Sequence, residues 1–282
     1  MISRYSHKII PSQVLKWIVA MIILIVMVFP IWWMFNVVFT EPGVPISINP
    51  RLYPSSLQAG IDNISQVLSD SKILHAFLIS IGYVVFQVIG ILLLSSMAAF
   101  EFALFKFPGK RFLFMLALLS MMIPAAVTLV PTYLLVVKIG WLNTLQGLVV
   151  PGLASAFGLF MMTQFMENLP RELFDAGEID GLNHFGLFWQ IALPLSKNAI
   201  ITLAILQFVR TWGNYIWPLV IASNQQAYTI SQVVGLYNNP MTYTTVNVIM
   251  ATNLLATLPT ILFYFFFQRF ILEGIAMTGI KG

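Results

Sequence analysis

The chain has 282 residues, of which 59% are hydrophobic and 9% are charged, and its formal net charge is +4. This composition excludes an ordinary soluble domain and is typical of a helical protein that crosses a membrane several times. The absence of cysteine excludes disulfides, thiolate metal sites and cysteine catalysis. The three histidines lie too far apart in sequence to suggest a metal pair, and the small net charge does not indicate nucleic-acid binding.

Six apolar segments predict six membrane-spanning helices, because each can cross a hydrocarbon core of ~30 Å. Their predicted bounds are 14–39, 73–105, 112–137, 144–166, 199–222 and 246–272. The first segment is too long for a signal-peptide core, so we expect it to be retained after an N-terminal segment at 1–13. The sequence therefore predicts an all-α integral membrane protein with a transmembrane domain at 14–272 and a C-terminal tail at 273–282.

The distribution of Lys and Arg predicts the orientation of these spans. If the N-terminus is cytoplasmic, ten of the 14 basic residues fall on the cytoplasmic side and three on the outer side. The remaining one, Arg210, falls within the fifth span. Because short cytoplasmic loops carry the excess of Lys and Arg, both termini and the loop at 167–197 are predicted to be cytoplasmic.

The loop at 167–197, between the fourth and fifth spans, is the one extended polar stretch of the chain. It contains five of the ten acidic residues. These are Glu167, Glu172, Asp175, Glu178 and Asp180. Pro170 and the run at 171–178 predict a first short helix. The pair at 180–181 is typical of a turn, and Asn183 can cap a second short helix that ends near Pro194. The loop is therefore predicted to be a compact helical hairpin.

The spacing within this hairpin resembles the EAA loop of ABC importer permeases. Asp175, Ala176 and Gly177 stand for the Glu-Ala-Ala of that motif, Gly181 for its signature glycine, and an Ile-Ala-Leu-Pro run ends at Pro194. The resemblance implies a coupling helix that docks into a groove of a separate ATPase subunit. It assigns this role to Glu172, Phe174, Asp175, Ala176, Gly177, Asp180, Gly181 and Pro194. The alternative is an ordinary solvated loop.

Two positions depart from the pattern of that family. Gly177 replaces an alanine, which costs a helix up to about 1 kcal/mol, so this helix is expected to be looser than usual. Lys197 and Asn198 stand where many relatives have proline.

The resemblance runs from about residue 10 to the C-terminus and is strongest to the carbohydrate branch of these permeases. It is carried by the segments 95–100, 106–111, 121–124, 131–133, 212–218 and 268–282. The chain looks most like the smaller permease subunit of maltose transporters, whose C-terminal tail reaches between the ATPase subunits. Gly279, Lys281 and Gly282 thereby become candidate ATPase contacts, and a frayed terminus is the alternative.

No motif for energy conversion occurs in the chain itself. A Gly-x-x-x-x-Gly-Lys-Ser/Thr phosphate loop is absent from the sequence. Glu101 is the only acidic residue in a predicted span, so no ladder of carboxylates is available to relay protons. We therefore expect a non-catalytic subunit without a cofactor of its own, with ATP and Mg²⁺ bound by a partner ATPase.

Arg210 lies near the middle of the fifth span, where a charge costs at least ~2.5 kcal/mol. It should face a water-filled path or pair inside the bundle. With Trp212, Asn214 and Trp217 it suits a sugar, because aromatic faces pack on sugar rings and amides bond to hydroxyls. A structural ion pair, or contacts to helix carbonyls, is an equal alternative.

Two prolines interrupt the third span. Pro124 and Pro131 each remove a backbone donor and favour a kink, which suits a gate that bends during transport. Simple curvature without a functional role is the alternative.

The predicted outer loop at 223–245 has no charged residue. In the resembled subunit this region is a scoop that enters the binding protein and helps to displace the sugar. The resemblance assigns this role to Gly235, Tyr237, Asn238, Asn239 and Pro240. A plain polar connector is the alternative.

These features predict a permease subunit of an ATP-driven ABC importer for sugars or oligosaccharides. The expected partners are a homologous second permease that completes the pore, two ATPase subunits and an extracytoplasmic solute-binding protein. Such an assembly implies a bacterial or archaeal cytoplasmic membrane. An ABC permease for another solute, such as phosphate, a peptide or an amino acid, is the main alternative. A gradient-driven transporter is less consistent, because repeated halves and membrane-embedded acids are lacking.

Overall fold

The structure is a computed structural model that describes residues 11–41, 53–238 and 245–279. Every regular element within these ranges is a helix, so the prediction of an all-helical fold is confirmed for them. The chain divides into two compact units. One comprises Met1–Asp70 and Tyr237–Leu255, and the other comprises Ser71–Leu236 and Ala256–Gly282.

The first unit contains helices α1 (Pro11–Val38) and α2 (Leu57–Ser69) and the start of the last helix. Asparagine amides bind carbonyls at the C-terminal end of α1 and just beyond it, where backbone carbonyls lack partners within the helix. Asn63 donates to the Val38 carbonyl at 2.8 Å, and Asn247 donates to the carbonyls of Val37 and Thr40 at 2.9 and 2.7 Å. The C-terminal end of α1 is thus fixed, whereas its preceding turns expose large apolar side chains.

The second unit contains eleven helices in its described part, together with most of the last one. These are α3 (Ser71–Leu104), α4 (Lys110–Ser120), α5 (Ala125–Lys138), α6 (Leu145–Val149), α7 (Ala156–Met166), α8 (Arg171–Ile179), α9 (His184–Leu187), α10 (Leu193–Leu195), α11 (Lys197–Trp212), α12 (Ile216–Ile221), α13 (Ile230–Tyr237) and α14 (Val246–Gly279).

Three helices of the described chain are long and apolar enough to cross a membrane alone, at Gln13–Val38, Ser71–Leu104 and Val246–Phe270. Up to six spans result if each of three bent pairs counts as one. The bends are 99° between α4 and α5, 47° between the segment Leu145–Gly152 and α7, and 76° between the segment His184–Leu195 and α11. The chain is therefore a multispan membrane protein, and the count of six remains a prediction.

The breaks in the predicted spans follow local chemistry. α5 begins after Pro124, whereas Pro131 lies inside the continuous helix, so the sharp bend of the third segment belongs to the first proline. The fifth segment, predicted as one span at 199–222, carries two helices, because α11 ends at Trp212. The side-chain oxygen of Asn214 then accepts from the Trp217 backbone N–H at 3.4 Å, in the first turn of α12.

α3 is central to the second unit and packs into two apolar clusters. One cluster joins Phe100 near its C-terminal end to Met162 and Met166 of α7 and to Leu203 of α11. The other joins Tyr83 in the first half of α3 to residues of α5, α6 and α12. The first cluster also includes side chains of α8 and α9, so the predicted hairpin sits on the end of the α3–α7–α11 packing.

Candidate functional site

The loop at 167–197 is a helical hairpin, as its turn chemistry predicts. Asp180 and Gly181 end α8, and Gly181 has a left-handed φ of +82°. The Gly181 N–H donates to the Glu178 carbonyl at 3.0 Å, and the Leu182 N–H donates to the Gly177 carbonyl at 2.9 Å. These two bonds form a Schellman cap, which requires the left-handed residue that glycine supplies.

The second half of the hairpin begins at Asn183, as predicted. Its side-chain oxygen accepts from the Gly186 N–H at 2.8 Å and so caps α9. A single π-helical turn at Phe188–Ala192 connects α9 to α10, which contains Pro194. The hairpin thus has a defined geometry on both sides of its turn.

Two residues fix the hairpin to the rest of the unit. Phe174 is buried, and its ring centroid lies 6.3 Å from that of Phe100 on α3. Gly177 is buried where α8 meets the second half of the hairpin: a Cβ there would lie 2.7 Å from Ile191 Cδ1 and 2.9 Å from Leu187 Cδ2. The glycine that replaces the alanine of the motif therefore permits close packing, which offsets its cost in helix propensity.

The remaining predicted coupling residues lie on the exposed side of the hairpin. These are Glu172, Asp175, Ala176, Asp180, Gly181 and Pro194. Five large apolar side chains share this exposure and were not predicted as site residues. Their exposed fractions are 86% for Ile179, 65% for Phe185, 49% for Trp189, 44% for Leu173 and 41% for Leu195. No pattern in the sequence separates them from the buried Phe174, because that separation depends on how the two halves of the hairpin pack against each other and against α3.

A second unpredicted contact joins the hairpin to α3. The Nε2 atom of His184 lies 2.5 Å from a carboxylate oxygen of Glu101. The imidazole packs against two aromatic rings, with centroid distances of 5.3 Å to Phe100 and 4.2 Å to Phe105. The only acidic residue predicted inside a span thus faces the hairpin. Within the described ranges, no group of three or more potential ligands could hold a metal ion.

The four predicted pore residues have different surroundings. The indole N–H of Trp212 donates to the Ala256 carbonyl at 3.1 Å, and that of Trp217 donates to the carbonyls of Gly147 and Leu148 at 3.2 Å. Both tryptophans therefore hold helices together.

The Asn214 amide donates to the Tyr83 hydroxyl at 3.1 Å. Arg210 itself is exposed, and no carboxylate of the described chain forms an ion pair with it. Tyr83 was not predicted as a site residue, because a buried tyrosine in a span shows no distinctive pattern in sequence.

The described part of the outer loop contains three of the five predicted scoop residues. Tyr237 donates to a carboxylate oxygen of Asp70 at 2.6 Å, and Asn238 is exposed. Partial burial, followed by the bond to the Asp70 carboxylate, raises the pKa of Tyr237 to about 12. Gly235 packs against Tyr215, whose hydroxyl oxygen would lie 2.9 Å from an added Cβ. Asn239 and Pro240 lie outside the described residues.

Of the predicted tail contacts, only Gly279 lies within the described chain, as the last residue of α14. Lys281 and Gly282 lie outside the described residues.

The chain is similar to curated permease proteins over most of its length. It is 32% identical over 192 residues, 68% of each chain, to the arabinooligosaccharides transport system permease protein AraQ of Halalkalibacterium halodurans. It is 29% identical over 280 residues, 95% of this chain and 97% of the relative, to the sn-glycerol-3-phosphate transport system permease protein UgpE of Rhizobium meliloti.

The fold is similar to that of a solved chain from a bacterial ABC transporter involved in the import of the acidic polysaccharide alginate. The TM-score is 0.84 at 18% sequence identity, with 95% of this chain and 98% of that chain covered. The family described as the binding-protein-dependent transport system inner membrane component matches residues 91–276, which include the whole hairpin. The chain therefore belongs to the family of binding-protein-dependent transport system inner membrane components.

Proposed function

We propose that this chain is a permease subunit of an ATP-driven ABC importer for a sugar or an oligosaccharide. It contributes half of the translocation pore, and a homologous second permease contributes the other half. Two ATPase subunits bind ATP and Mg²⁺ on the cytoplasmic side, and an extracytoplasmic binding protein delivers the solute. The subunit itself catalyses no reaction.

The observation that carries this proposal is the contrast between the two sides of the hairpin. Phe174 and Gly177 anchor α8 to the packed ends of α3, α7 and α11, whereas Ile179 and Phe185 expose most of their apolar surface. Exposed apolar side chains grouped on a polar, structured loop indicate a protein interface. Together with the family of the chain, this supports docking of the hairpin on an ATPase subunit.

α3 supplies a continuous route from the hairpin to the opposite end of the unit. The helix has 34 residues, and its C-terminal part contacts the hairpin through Glu101 and Phe100. In its first half the Tyr83 hydroxyl accepts from Asn214, and the Ser80 hydroxyl oxygen accepts from the Ile230 N–H at 2.8 Å. A rigid displacement of α3, driven by ATPase closure, would therefore reach the predicted pore residues and α13 together.

A phosphorylated polyol is a second candidate solute. The similarity to a sn-glycerol-3-phosphate permease extends over 95% of the chain, and the similarity to an arabinooligosaccharide permease is comparable in identity. Both solutes carry free hydroxyls, which Asn214 and Tyr83 could bind, and only one carries a phosphate. Arg210 suits the phosphate as well as it suits a water-filled sugar path.

The class of the protein is tested by isolating the chain from its own membranes in a mild detergent. We expect an ATPase and a second permease to be recovered with it, and ATP hydrolysis in reconstituted vesicles to rise when the loaded binding protein is added. A chain recovered alone that moves solute without ATP would contradict the proposal. Competition by arabinooligosaccharides and by sn-glycerol 3-phosphate for the binding protein then distinguishes the two solutes.

A further inference from the structure

A groove of about 930 Å³ opens at the turn that joins α3 to α4. We call it the α3–α4 groove, and three cationic side chains line it: Lys106, Lys110 and Arg111. Lys110 donates one of its N–H groups to the Phe105 carbonyl at 3.0 Å. No carboxylate of the described chain forms an ion pair with any of the three.

The only acidic side chain that lines the groove is Glu167. One of its oxygens already accepts from the Gln164 amide at 3.2 Å. Three positive charges thus face one negative charge, and the groove has an excess of two positive charges that an anion could neutralise.

The rest of the groove is mostly apolar. Phe102 forms aromatic contacts with Phe107 and Phe114 at centroid distances of 5.4 and 5.5 Å, and all three line the groove. Phe112 and Met115 of α4 extend this wall and are 62% and 52% exposed. No residue of α4 is buried in this chain. A small soluble anion would therefore neutralise the charges but leave the aromatic wall exposed to its surroundings.

The groove lies where a lipid headgroup would lie. α3 has 34 residues, so at 1.5 Å per residue it is about 50 Å long and exceeds a hydrocarbon core of ~30 Å. Its C-terminal end, which carries the groove, must then reach the headgroup region. Cationic side chains at this depth attract the anionic lipids of the cytoplasmic leaflet.

We propose that the α3–α4 groove binds one anionic phospholipid. Its phosphate lies among Lys106, Lys110 and Arg111, and an acyl chain follows the wall of Phe102 and Phe112. The second permease fits less well as an occupant, because burying three unpaired cations in a protein interface needs matching carboxylates. The inference rests on the proposed position of this end of α3 at the inner membrane surface, and it is independent of the coupling role of the hairpin.

The test uses the purified full-length chain in a neutral detergent, with phosphatidylglycerol and phosphatidylcholine at equal concentration. Native mass spectrometry counts the lipids that stay bound. We expect one phosphatidylglycerol to be retained with a preference of about tenfold. The preference should disappear in the double variant Lys106→Gln with Arg111→Gln. Lys110 is left unchanged because its bond to Phe105 supports the turn itself.

The control is the double variant Lys16→Gln with Arg269→Gln, which removes the same charge from exposed residues that do not line the groove. It should keep the preference of the wild type, and both double variants should unfold at the same temperature in phosphatidylcholine. Equal retention of the two lipids by the wild type would overturn the proposal, and so would equal loss in both variants. Displacement of the lipid by millimolar inorganic phosphate would assign the site to a soluble anion instead.

The same measurement on the assembled transporter separates this inference from the proposed function. Recovery of the ATPase and the second permease without a groove lipid would leave the importer assignment intact. It would overturn the lipid site.

Discussion

Glu101 and His184 lie 83 residues apart in sequence, and their side chains meet at 2.5 Å between the end of α3 and the start of α9. The two side chains are 43% and 49% exposed, so their attraction is expected to contribute only ~0.2–1 kcal/mol to the free energy of unfolding. The position of the pair is therefore more important than its energy. The pair joins the predicted coupling hairpin to α3, the 34-residue helix that is central to the second unit.

The first prediction concerns this pair. Glu101→Gln and His184→Gln should each lower the amount of solute transported per ATP hydrolysed, because each loosens the hairpin from α3. Assembly with the ATPase should be unchanged. Since the two side chains act through one contact, the double variant should be no worse than either single variant. The measurement is solute uptake together with ATP hydrolysis in proteoliposomes, and additive losses would contradict a shared contact.

The second prediction concerns the turn of the hairpin. Gly181→Val should uncouple transport from ATP hydrolysis, with the complex still assembled. The Schellman cap needs a left-handed residue, which costs most L-residues about 1–2 kcal/mol. An added Cβ meets no atom within 4 Å, so the effect arises from the backbone alone.

Gly181→Asn is the matched control, because asparagine adopts the left-handed region more readily than valine does. It should retain most of the coupled uptake. Full uptake by the valine variant would refute the role of this turn.

The third prediction separates docking from stability. Ile179→Ser with Phe185→Ser should weaken recovery of the ATPase with this chain, because both residues lie on the exposed apolar side of the hairpin. The unfolding temperature should stay within a few degrees of the wild type. The buried Phe174 provides the contrast, since Phe174→Ala should destabilise the unit by about 3–5 kcal/mol. Unchanged binding of the ATPase to the double variant would place the interface elsewhere.

The fourth prediction assigns different roles to Arg210 and Trp217. Trp217→Phe removes the donor to the carbonyls of Gly147 and Leu148, so it should lower the unfolding temperature and leave solute preference unchanged. Arg210→Gln should alter the transport rate or the preference between neutral and phosphorylated solutes, with stability unchanged, because its side chain is exposed. Uptake and thermal unfolding are measured on both variants. A change in solute preference for Trp217→Phe, together with a loss of stability for Arg210→Gln, would contradict this assignment.

The fifth prediction concerns pH. The pKa of Tyr237 is raised from about 10 to about 12 by burial and by the Asp70 carboxylate, so the folded protein holds its proton more tightly than the unfolded chain does. The contribution of this contact to stability is therefore complete below pH 10 and is lost as the pH rises through 12. The difference in tyrosine absorbance between the wild type and Tyr237→Phe should show a late titration, and a midpoint near 10 would contradict the contact.

The local structure of the hairpin could be predicted because short-range chemistry determines it. Gly181 ends one helix, Asn183 begins the next, and both effects depend only on neighbouring backbone groups. The burial of Phe174 and the exposure of Ile179 could not be predicted. Both are apolar residues on one short helix, and the packing of other helices decides between them.

Contacts between segments that are distant in sequence could not be predicted either. The pairing of Glu101 with His184 depends on the packing of α3 against the hairpin, which no local pattern encodes. The apolar run at 199–222 looked continuous because hydropathy averages over a window. Within that window α11 ends at Trp212 and α12 begins at Ile216, and the Asn214 side chain accepts from the Trp217 N–H in the first turn of α12.

The asparagine bonds at the end of α1 have a consequence for biogenesis. Two carbonyls there accept from Asn247, which follows them by 210 and 207 residues. Synthesis runs from the N-terminus, so α1 must enter the bilayer long before this partner exists. In the interval the Val37 carbonyl can keep the bond that it accepts from the Thr40 N–H at 3.1 Å, so the Thr40 carbonyl is the one that must bind water. The contacts within the first unit can therefore be completed only after the segment Tyr237–Leu255, which contains Asn247, has been synthesised.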